Sequence, residues 1–320
     1  MRSIAESRGP TTAYNDPKPS NLGFLRSTHH TQVLLGVIRF ESFPSMSQNA
    51  NTPGFRPGED WPTIAELAKG YDEYLMPDSD KLSGRKLELI GQNKSHIQYH
   101  FVDKNTVTWN ILKKGDSNIE SGSSTEAKYR ALELRENIFF IDFYKTADDE
   151  EVTIVLSLIT GQAVTAISTF YDRNGAPRTQ TTLVDSHLKE FESAKPFPVT
   201  EELLGKVVFY RYNARDCYEH SYQNPGTFAW HCLAGVEKGV ASSDPCKFLK
   251  LDEELYFIYW TETVMPVESI VISDLKNLRS TGRFFCWDPK PRTPLHMVFG
   301  SYATVLADFS AKRKELLAKI

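Results

Sequence analysis

The sequence predicts an all-β protein in which one small antiparallel β-barrel occurs twice in tandem, preceded by a short helix. Three observations favour this fold class. Short segments alternate apolar and polar residues at a period of two, no long helical segment separates them, and one pattern of residues recurs along the chain. The 320 residues suffice for two domains that each bury a core.

Residues 1–60 are rich in Pro, Gly, Ser and Asn and lack a sustained apolar period, which predicts a flexible extension. A transit peptide in its first part is one alternative, and Met46 as the natural start of the chain is another.

The next segment predicts one short helix that leads into the first barrel. Thr63 is the expected N-cap, and Glu66 three residues later completes a capping box. The apolar residues that recur at helical spacing are Ile64, Leu67, Ala68 and Tyr71.

Strand signals follow one another after Leu82. In HIQYHFVDKNTVTWNIL, apolar residues alternate with polar ones on both sides of Asp103-Lys104-Asn105, which predicts a β-hairpin. Further strands are predicted for KYRALEL, NIFFIDFYK, VTIVLSLI and AVTAISTFYD. We therefore expect the first barrel within residues 61–185, a linker over 186–199, and the second barrel with a short terminal helix within 200–320.

The duplication is the strongest signal in the sequence. NTVTWN ends on Trp109-Asn110 and recurs as GTFAWH, which ends on Trp230-His231. The distance from Gly84 to Trp109 equals the distance from Gly205 to Trp230, so the two copies share one register. Each copy is expected to span about 90 residues, ending near Phe170 and Phe285 respectively.

Composition excludes several classes of partner. With 37 Lys and Arg against 41 Asp and Glu, no basic stripe is available for nucleic acid. No apolar run approaches the ~20 residues that cross a bilayer, so no membrane partner is expected. Four cysteines without a C-x-x-C motif predict reduced thiols in a cytoplasmic protein. Homo-oligomerisation stays open.

Differences between the copies identify candidate functional residues, because side chains that only support the barrel should be similar in both. Four positions of the second copy carry ionisable or hydrogen-bonding groups that the first copy lacks. They are Tyr210, Tyr212, His231 and Glu262, in place of Leu89, Gly91, Asn110 and Lys145. A further set of aromatic and imidazole side chains is predicted to bind the substrate: Tyr218, His220, Tyr222, Trp230 and Trp260.

This set suits acid–base chemistry on a small molecule. A carboxyl group inside a narrow barrel favours its neutral form, so Glu262 is predicted to act as acid or base. Tyr210, Tyr212 and His231 would bind or polarise the substrate, without a metal or organic cofactor.

Structural roles stay alternatives. Paired aromatic residues belong to the core in most barrels, Glu262 can be a surface carboxylate at a strand end, and His231 can be structural. Functional alternatives are a small-molecule carrier, an accessory subunit, and a metal site. The metal ligands in that last case would be His220, His231, Cys232 and Cys246.

One segment of the second copy resembles the C-terminal domain of the molybdenum cofactor biosynthesis protein F (MoaF-like) family. It runs from YRYNARDCYEHSYQN through WHCLAGVEKG to YFIYWTE. The similarity covers residues 82–306 and implies two related lipocalin-like (calycin) barrels. It implies no particular activity.

The second copy is also distantly similar to phenolic acid decarboxylases, which are lipocalin-like barrels with Y-x-Y and W-T-E strands. The resemblance implies that Tyr210 and Tyr212 hold a substrate carboxylate and that Glu262 handles a phenolic proton. Where those enzymes have an arginine, this sequence has His231, which removes a carboxylate clamp. The expected function is a lyase or an isomerase/cyclase, decarboxylation included, acting on a small, largely apolar or phenolic molecule.

Overall fold

A computed structural model describes residues 62–116, 125–263 and 265–319. The predicted flexible extension, residues 1–60, lies outside these ranges. Sixteen strands form two closed antiparallel barrels of eight strands each, in tandem along the chain, which confirms the predicted fold class.

In the first barrel each strand pairs with the next, and β8 closes the barrel on β1. Its strands are β1 (Lys86–Gly91), β2 (His96–Phe101), β3 (Thr106–Lys113), β4 (Thr125–Arg135), β5 (Ile138–Lys145), β6 (Glu150–Ser157), β7 (Gln162–Arg173) and β8 (Ala176–Leu188).

The second barrel repeats this order and closes through pairing of β16 with β9. Its strands are β9 (Lys206–Arg211), β10 (Cys217–Asn224), β11 (Thr227–Ala234), β12 (Ala241–Asp252), β13 (Leu255–Thr261), β14 (Val267–Asp274), β15 (Arg279–Asp288) and β16 (Thr293–Asp308).

The predicted hairpin is the β2–β3 pair. Asp103 accepts hydrogen bonds from the backbone N–H groups of Asn105 and Thr106, both at 2.7 Å, and so builds the turn from its own side chain. The apolar residues at alternate positions, Tyr99 and Trp109 among them, point into the barrel. The face that carries these alternating apolar residues is the inward one, which the sequence alone did not show.

Each barrel extends one strand beyond the expected end of its copy. Strand β8 runs to Leu188, into the segment expected to be linker, and β16 runs to Asp308. Long stretches of both strands are half-buried or exposed, so their sequences lack a clear apolar alternation. Closure of the barrel, rather than local pattern, defines these strands.

The two barrels pack side by side through their outer faces. Phe140 and Val155 of the first barrel join Phe257 and Ile270 of the second in one apolar cluster, with Phe197 of the linker. Strands at this interface are buried on both faces, as the burial of every residue of β14 shows. This is why NIFFIDFYK and YFIYW read as continuous apolar runs instead of alternating.

Helix α1 (Ile64–Leu67) begins with the predicted capping box, in which the Thr63 side chain accepts from the Glu66 N–H and the Glu66 carboxylate accepts from the Thr63 N–H. A second helix, α2 (Ser310–Leu317), is exposed on all sides and is the predicted terminal helix. Within the described ranges, no helix has the length and apolar character that a membrane crossing requires.

Although α1 precedes the first barrel in the chain, its segment (residues 62–76, here the α1 segment) packs on the second barrel. The Ile64 N–H donates to Asp288 at 2.8 Å, and the Gly300 N–H donates to the Tyr71 carbonyl at 3.0 Å. A Cβ on Gly300 would lie 2.6 Å from Leu75 Cα, so glycine permits this close approach. The helix expected to lead into the first barrel therefore covers the second.

Candidate active site

A chamber of about 40 Å³ lies between the interior of the second barrel and the α1 segment. Ile64, Leu67 and Tyr71 line it from the α1 segment, and aromatic side chains line it from the barrel. Its ionisable lining groups are two carboxyl groups, an imidazole and three phenols: Glu237, Glu262, His220, Tyr71, Tyr212 and Tyr218. Among the described lining residues none is Lys or Arg, so the chamber repels anions and suits a neutral ligand.

Three of these groups form one hydrogen-bonded chain. The Tyr218 hydroxyl donates a very short hydrogen bond to Glu237 Oε2. The Tyr71 hydroxyl lies 2.6 Å from the Tyr218 hydroxyl and, because the Tyr218 proton is engaged by Glu237, acts as the donor of that pair. Burial raises the pKa of both tyrosines, and the negative charge of Glu237 adds to that increase. The chain gives a path for a proton from the α1 segment to a carboxylate.

Glu237 lies in the turn between β11 and β12. The carboxylate of Asp216 holds the backbone of this turn. Asp216 accepts from Asn213 Nδ2 at 2.8 Å and from the Val236 N–H at 3.2 Å. A Cβ on Gly235 would lie 2.0 Å from Asp216 Oδ1, and its φ is +117°, so this contact requires glycine. Burial, and to a lesser degree Asp216, raise the pKa of Glu237 despite the Tyr218 hydrogen bond.

Glu262 presents the second carboxyl group. Trp260 Nε1 donates to its Oε1 at 3.3 Å, whereas Oε2 is enclosed and has no hydrogen-bond partner among the described residues. Burial raises the pKa of Glu262 well above its usual range, and the charges of Glu237 and Asp244 raise it further. The neutral acid is therefore the favoured form in the resting chamber.

Tyr212 and His220 complete the wall of the chamber. The Tyr212 ring stacks on Tyr71 with centroids 4.6 Å apart, and its hydroxyl has no hydrogen-bond partner within the part of the chain that the structure describes. Burial raises the pKa of Tyr212. Burial also lowers the pKa of His220 to about 3, so its imidazole is neutral. Tyr212 is thus a free donor and His220 an uncharged partner.

The predicted tryptophans line the chamber with their indole N–H groups already bonded. Trp230 Nε1 donates to Asp244 at 2.8 Å, as Trp260 Nε1 does to Glu262. Asp244 also accepts from the N–H and hydroxyl of Thr263, at 2.9 and 2.8 Å. Both rings are held in fixed orientations and offer apolar faces to a ligand.

Tyr210 and Tyr222 belong to a separate polar cluster and do not line this chamber. The Tyr210 hydroxyl lies 2.9 Å from the Tyr222 hydroxyl and 2.8 Å from Ser273 Oγ, so its hydrogen-bonding capacity is used. Tyr210 and Tyr212 share one face of the sheet, but residues two apart are displaced by about 6.6 Å along a strand. The expectation that both tyrosines face one ligand needs this correction.

His231 is exposed on the outside of the barrel, which corrects the prediction that it lies in the chamber. Its neighbour Trp230 points inward, and alternation along β11 sends His231 outward. The metal set of His220, His231, Cys232 and Cys246 is wrong for the same reason, because His220 and Cys232 are buried while His231 faces solvent.

Sequence reasoning missed Tyr71 and Glu237. Tyr71 belongs to a segment that the sequence places with the other barrel, and Glu237 lies in a turn, where no periodicity indicates direction. The one signal for Glu237 is its place inside WHCLAGVEKG, the part of the sequence with the densest family resemblance.

The first barrel differs chemically at the matched positions. Lys145, the counterpart of Glu262, forms an ion pair with Glu150 and lies 5.1 Å from the centroid of the Trp109 ring. Leu89, the counterpart of Tyr210, is a buried core residue. The first barrel thus uses these positions for packing and surface charge pairing.

Comparison with known proteins identifies relatives of both halves. The family model described as the MoaF N-terminal domain matches residues 59–172, and that described as the MoaF C-terminal domain matches residues 197–309. Protein MoaF of Klebsiella aerogenes is 30% identical over 235 residues, which cover 69% of this chain and 85% of that relative. A crystal structure from Burkholderia vietnamiensis, described as a candidate beta-lactamase, aligns with 32% of this chain and 95% of its own. The TM-score is 0.29 and the sequence identity 13%, a likeness too weak to support an inference.

Proposed function

The chain belongs to the MoaF family, and from that premise and the chamber of its second barrel we propose that it catalyses acid–base proton transfer on a small, largely apolar or phenolic molecule, as a lyase or an isomerase/cyclase. The observation that carries the proposal is the enclosed Glu262 Oε2, which has no partner within the described residues. Leaving a buried carboxyl group without partners costs stability, so such a group is a candidate for function.

The two carboxyl groups suit opposite roles. Since the charge of Glu237 raises the pKa of Glu262, we assign Glu262 in its neutral form as the acid and the Tyr218–Glu237 pair as the base. Glu262 gives its proton to a carbon of a conjugated substrate. A substrate hydroxyl gives its proton to Tyr218, whose own proton passes to Glu237.

The electron pair of the broken O–H bond moves through the conjugated system to the newly protonated carbon. The product is a tautomer of the substrate, which accounts for isomerisation. A substrate carboxylate would find no cationic partner among the described lining residues, so we assign no decarboxylation step. Tyr212, with its free hydroxyl, donates to the oxygen on which negative charge develops.

The family name refers to the molybdenum cofactor, but the lining of this chamber does not fit molybdate or a pterin phosphate. Both are anions, whereas the lining offers carboxyl groups and, among the described residues, no cationic side chain. We therefore derive no step through such a ligand.

Substrate entry requires displacement of the α1 segment. A ligand pocket usually measures about 300–1,000 Å³, whereas this chamber has about 40 Å³. The α1 segment is held on the barrel by several hydrogen bonds, made by Ile64, Lys69, Tyr71 and Tyr74, which must open together when it moves. Outward movement of this segment is the smallest change that enlarges the chamber.

Solvent deuterium incorporation tests the proposal before the natural substrate is identified. The purified chain is incubated in D₂O with a panel of phenols and uncharged conjugated ketones, and deuterium at carbon is measured by mass spectrometry. We expect incorporation that falls about 100-fold or more in Glu262→Gln, in line with the loss of a general acid. His231→Gln is the matched control, because His231 faces solvent on the same barrel.

A carrier would use the same aromatic chamber, and this assay separates the two functions. A ligand that is retained without deuterium at carbon supports the carrier. Equal incorporation by the parent and Glu262→Gln overturns the assignment of Glu262.

A further inference from the structure

A second cluster of ionisable side chains lies at the interface of the two barrels. His296 of β16 places its Nε2 2.7 Å from Asp142 Oδ2 of β5 and 3.0 Å from Glu151 Oε1 of β6. One ligand atom from each of the three residues lies within 4.8 Å of the other two. The site is distinct from the chamber, whose lining includes none of them.

The carboxyl groups at this interface outnumber the permanent cations. Asp142, Glu151 and Glu268 are at most 1% exposed, and Arg283, which is fully buried, pairs with Glu268 at 3.0 Å. Three carboxylates against one guanidinium leave two negative charges for the His296 side chain, bound protons or an ion to balance. Buried charges require compensation, which here comes either from protons or from a bound cation.

Glu151 shows where compensation is missing. Its side chain is fully buried, and neither Oε1 nor Oε2 has a hydrogen-bond partner among the described residues. Asp142, in contrast, accepts from the Thr153 hydroxyl at 2.7 Å and from His296. Glu151 Oε2 is therefore without a partner within the described ranges, and Oε1 faces the His296 imidazole at 3.0 Å.

We propose that Asp142, Glu151 and His296 bind one divalent first-row transition-metal ion of the Zn²⁺ type. One imidazole with two carboxylates is a donor set suited to such ions, and three protein ligands plus water complete four-coordinate zinc. The two positive charges of the ion balance the carboxylates of Asp142 and Glu151 when the His296 imidazole binds in its neutral form. Tetrahedral zinc lies about 2.0–2.1 Å from each ligand atom, which places the ligand atoms roughly 3.3 Å from one another. The distances from His296 Nε2 to the two carboxylate oxygens would therefore increase by about half an ångström when the ion binds.

The position of the cluster gives the ion a path and a structural role. The His296 side chain is 26% exposed, which provides access from solvent and room for a water ligand. Because Asp142 and Glu151 come from the first barrel and His296 from the second, the ion would tie the two barrels together.

Zinc titration of the untagged, full-length, chelator-treated chain tests the site. We expect one Zn²⁺ per chain by isothermal titration calorimetry, and at least about 100-fold weaker binding in His296→Gln and in Glu151→Gln. His96→Gln is the matched control, since His96 also contacts a carboxylate, Glu88, at 2.7 Å but lies away from the cluster. It should bind zinc as the parent does.

Cobalt provides a second measurement on the parent chain, in case a variant fails to fold. Tetrahedral Co²⁺ at this site should give visible absorption bands and one nitrogen ligand by X-ray absorption. A parent chain that binds neither ion, or that binds zinc equally after His296→Gln, would show that protons alone balance the cluster.

Discussion

Replacing Glu262 by Gln should change how the stability of the protein depends on pH. In the folded chain burial raises the pKa of Glu262 well above its ordinary value of 4.5, whereas in the unfolded chain the carboxyl group regains that value. Between these two pKa values the folded state holds one proton more than the unfolded state, so the free energy of unfolding falls as pH rises.

The magnitude follows from proton linkage. A difference of one bound proton lowers the free energy of unfolding by about 1.4 kcal/mol for each pH unit. This stability is fully present below pH 4.5 and is lost as pH rises toward the folded pKa. Glutamine has nearly the same shape as neutral glutamic acid but does not titrate. The variant should therefore not lose stability as pH rises through this range, and it should be more stable than the parent at neutral pH.

Urea unfolding at half-unit steps from pH 5 to pH 8 measures the effect, with fluorescence and circular dichroism compared to establish that the transition is two-state. Glu136→Gln serves as control because Glu136 is exposed in a turn of the first barrel. Its pH slope should match the parent's. If Glu262→Gln also kept the parental slope, the carboxyl group would not be enclosed as described, and the acid role assigned to it would lose its basis.

Three further predictions concern packing and charge. Tyr71→Phe removes the 2.6 Å hydrogen bond to Tyr218 but keeps the ring, so it should cost about 1 kcal/mol in urea unfolding; a change below 0.3 kcal/mol would argue against the hydrogen-bonded chain. Arg283→Met leaves buried carboxylates without their guanidinium partner and should cost about 3–5 kcal/mol, which a Tm within 1 °C of the parent's would contradict. Gly161→Ala places a Cβ 2.2 Å from Phe191 at a φ of +72°, so thermal unfolding should show a loss of about 1–3 kcal/mol; Gly175→Ala, with open space around the Cβ, should lose less.

The candidate site was predictable in part. Comparison of the two copies selected Tyr212 and Glu262, and alternation along β10 selected Tyr218 and His220, all of which line the chamber. The same alternation, applied to Trp230 and its neighbour, already indicates that His231 faces outward.

Depth within the barrel was not predictable. Tyr210 and Tyr222 point inward as expected, yet they hydrogen-bond to each other below the chamber. A period of two identifies a face of the sheet, whereas the level along the barrel axis depends on strand stagger and on what fills the interior.

The all-β class and the duplication follow from the sequence alone, because they depend on alternation and on turn residues within a few positions, whereas the inward face of each strand does not. The sequence also determined the capping box that begins α1, since Thr63 and Glu66 contact each other locally. Only the tertiary structure decided that α1 covers the second barrel and that Tyr71 and Glu237 join one hydrogen-bonded chain. The Tyr71–Tyr218 contact joins residues 147 positions apart, and the Tyr218–Glu237 contact joins a strand to a turn 19 positions away. Both depend on how the closed barrel packs, which no local pattern encodes.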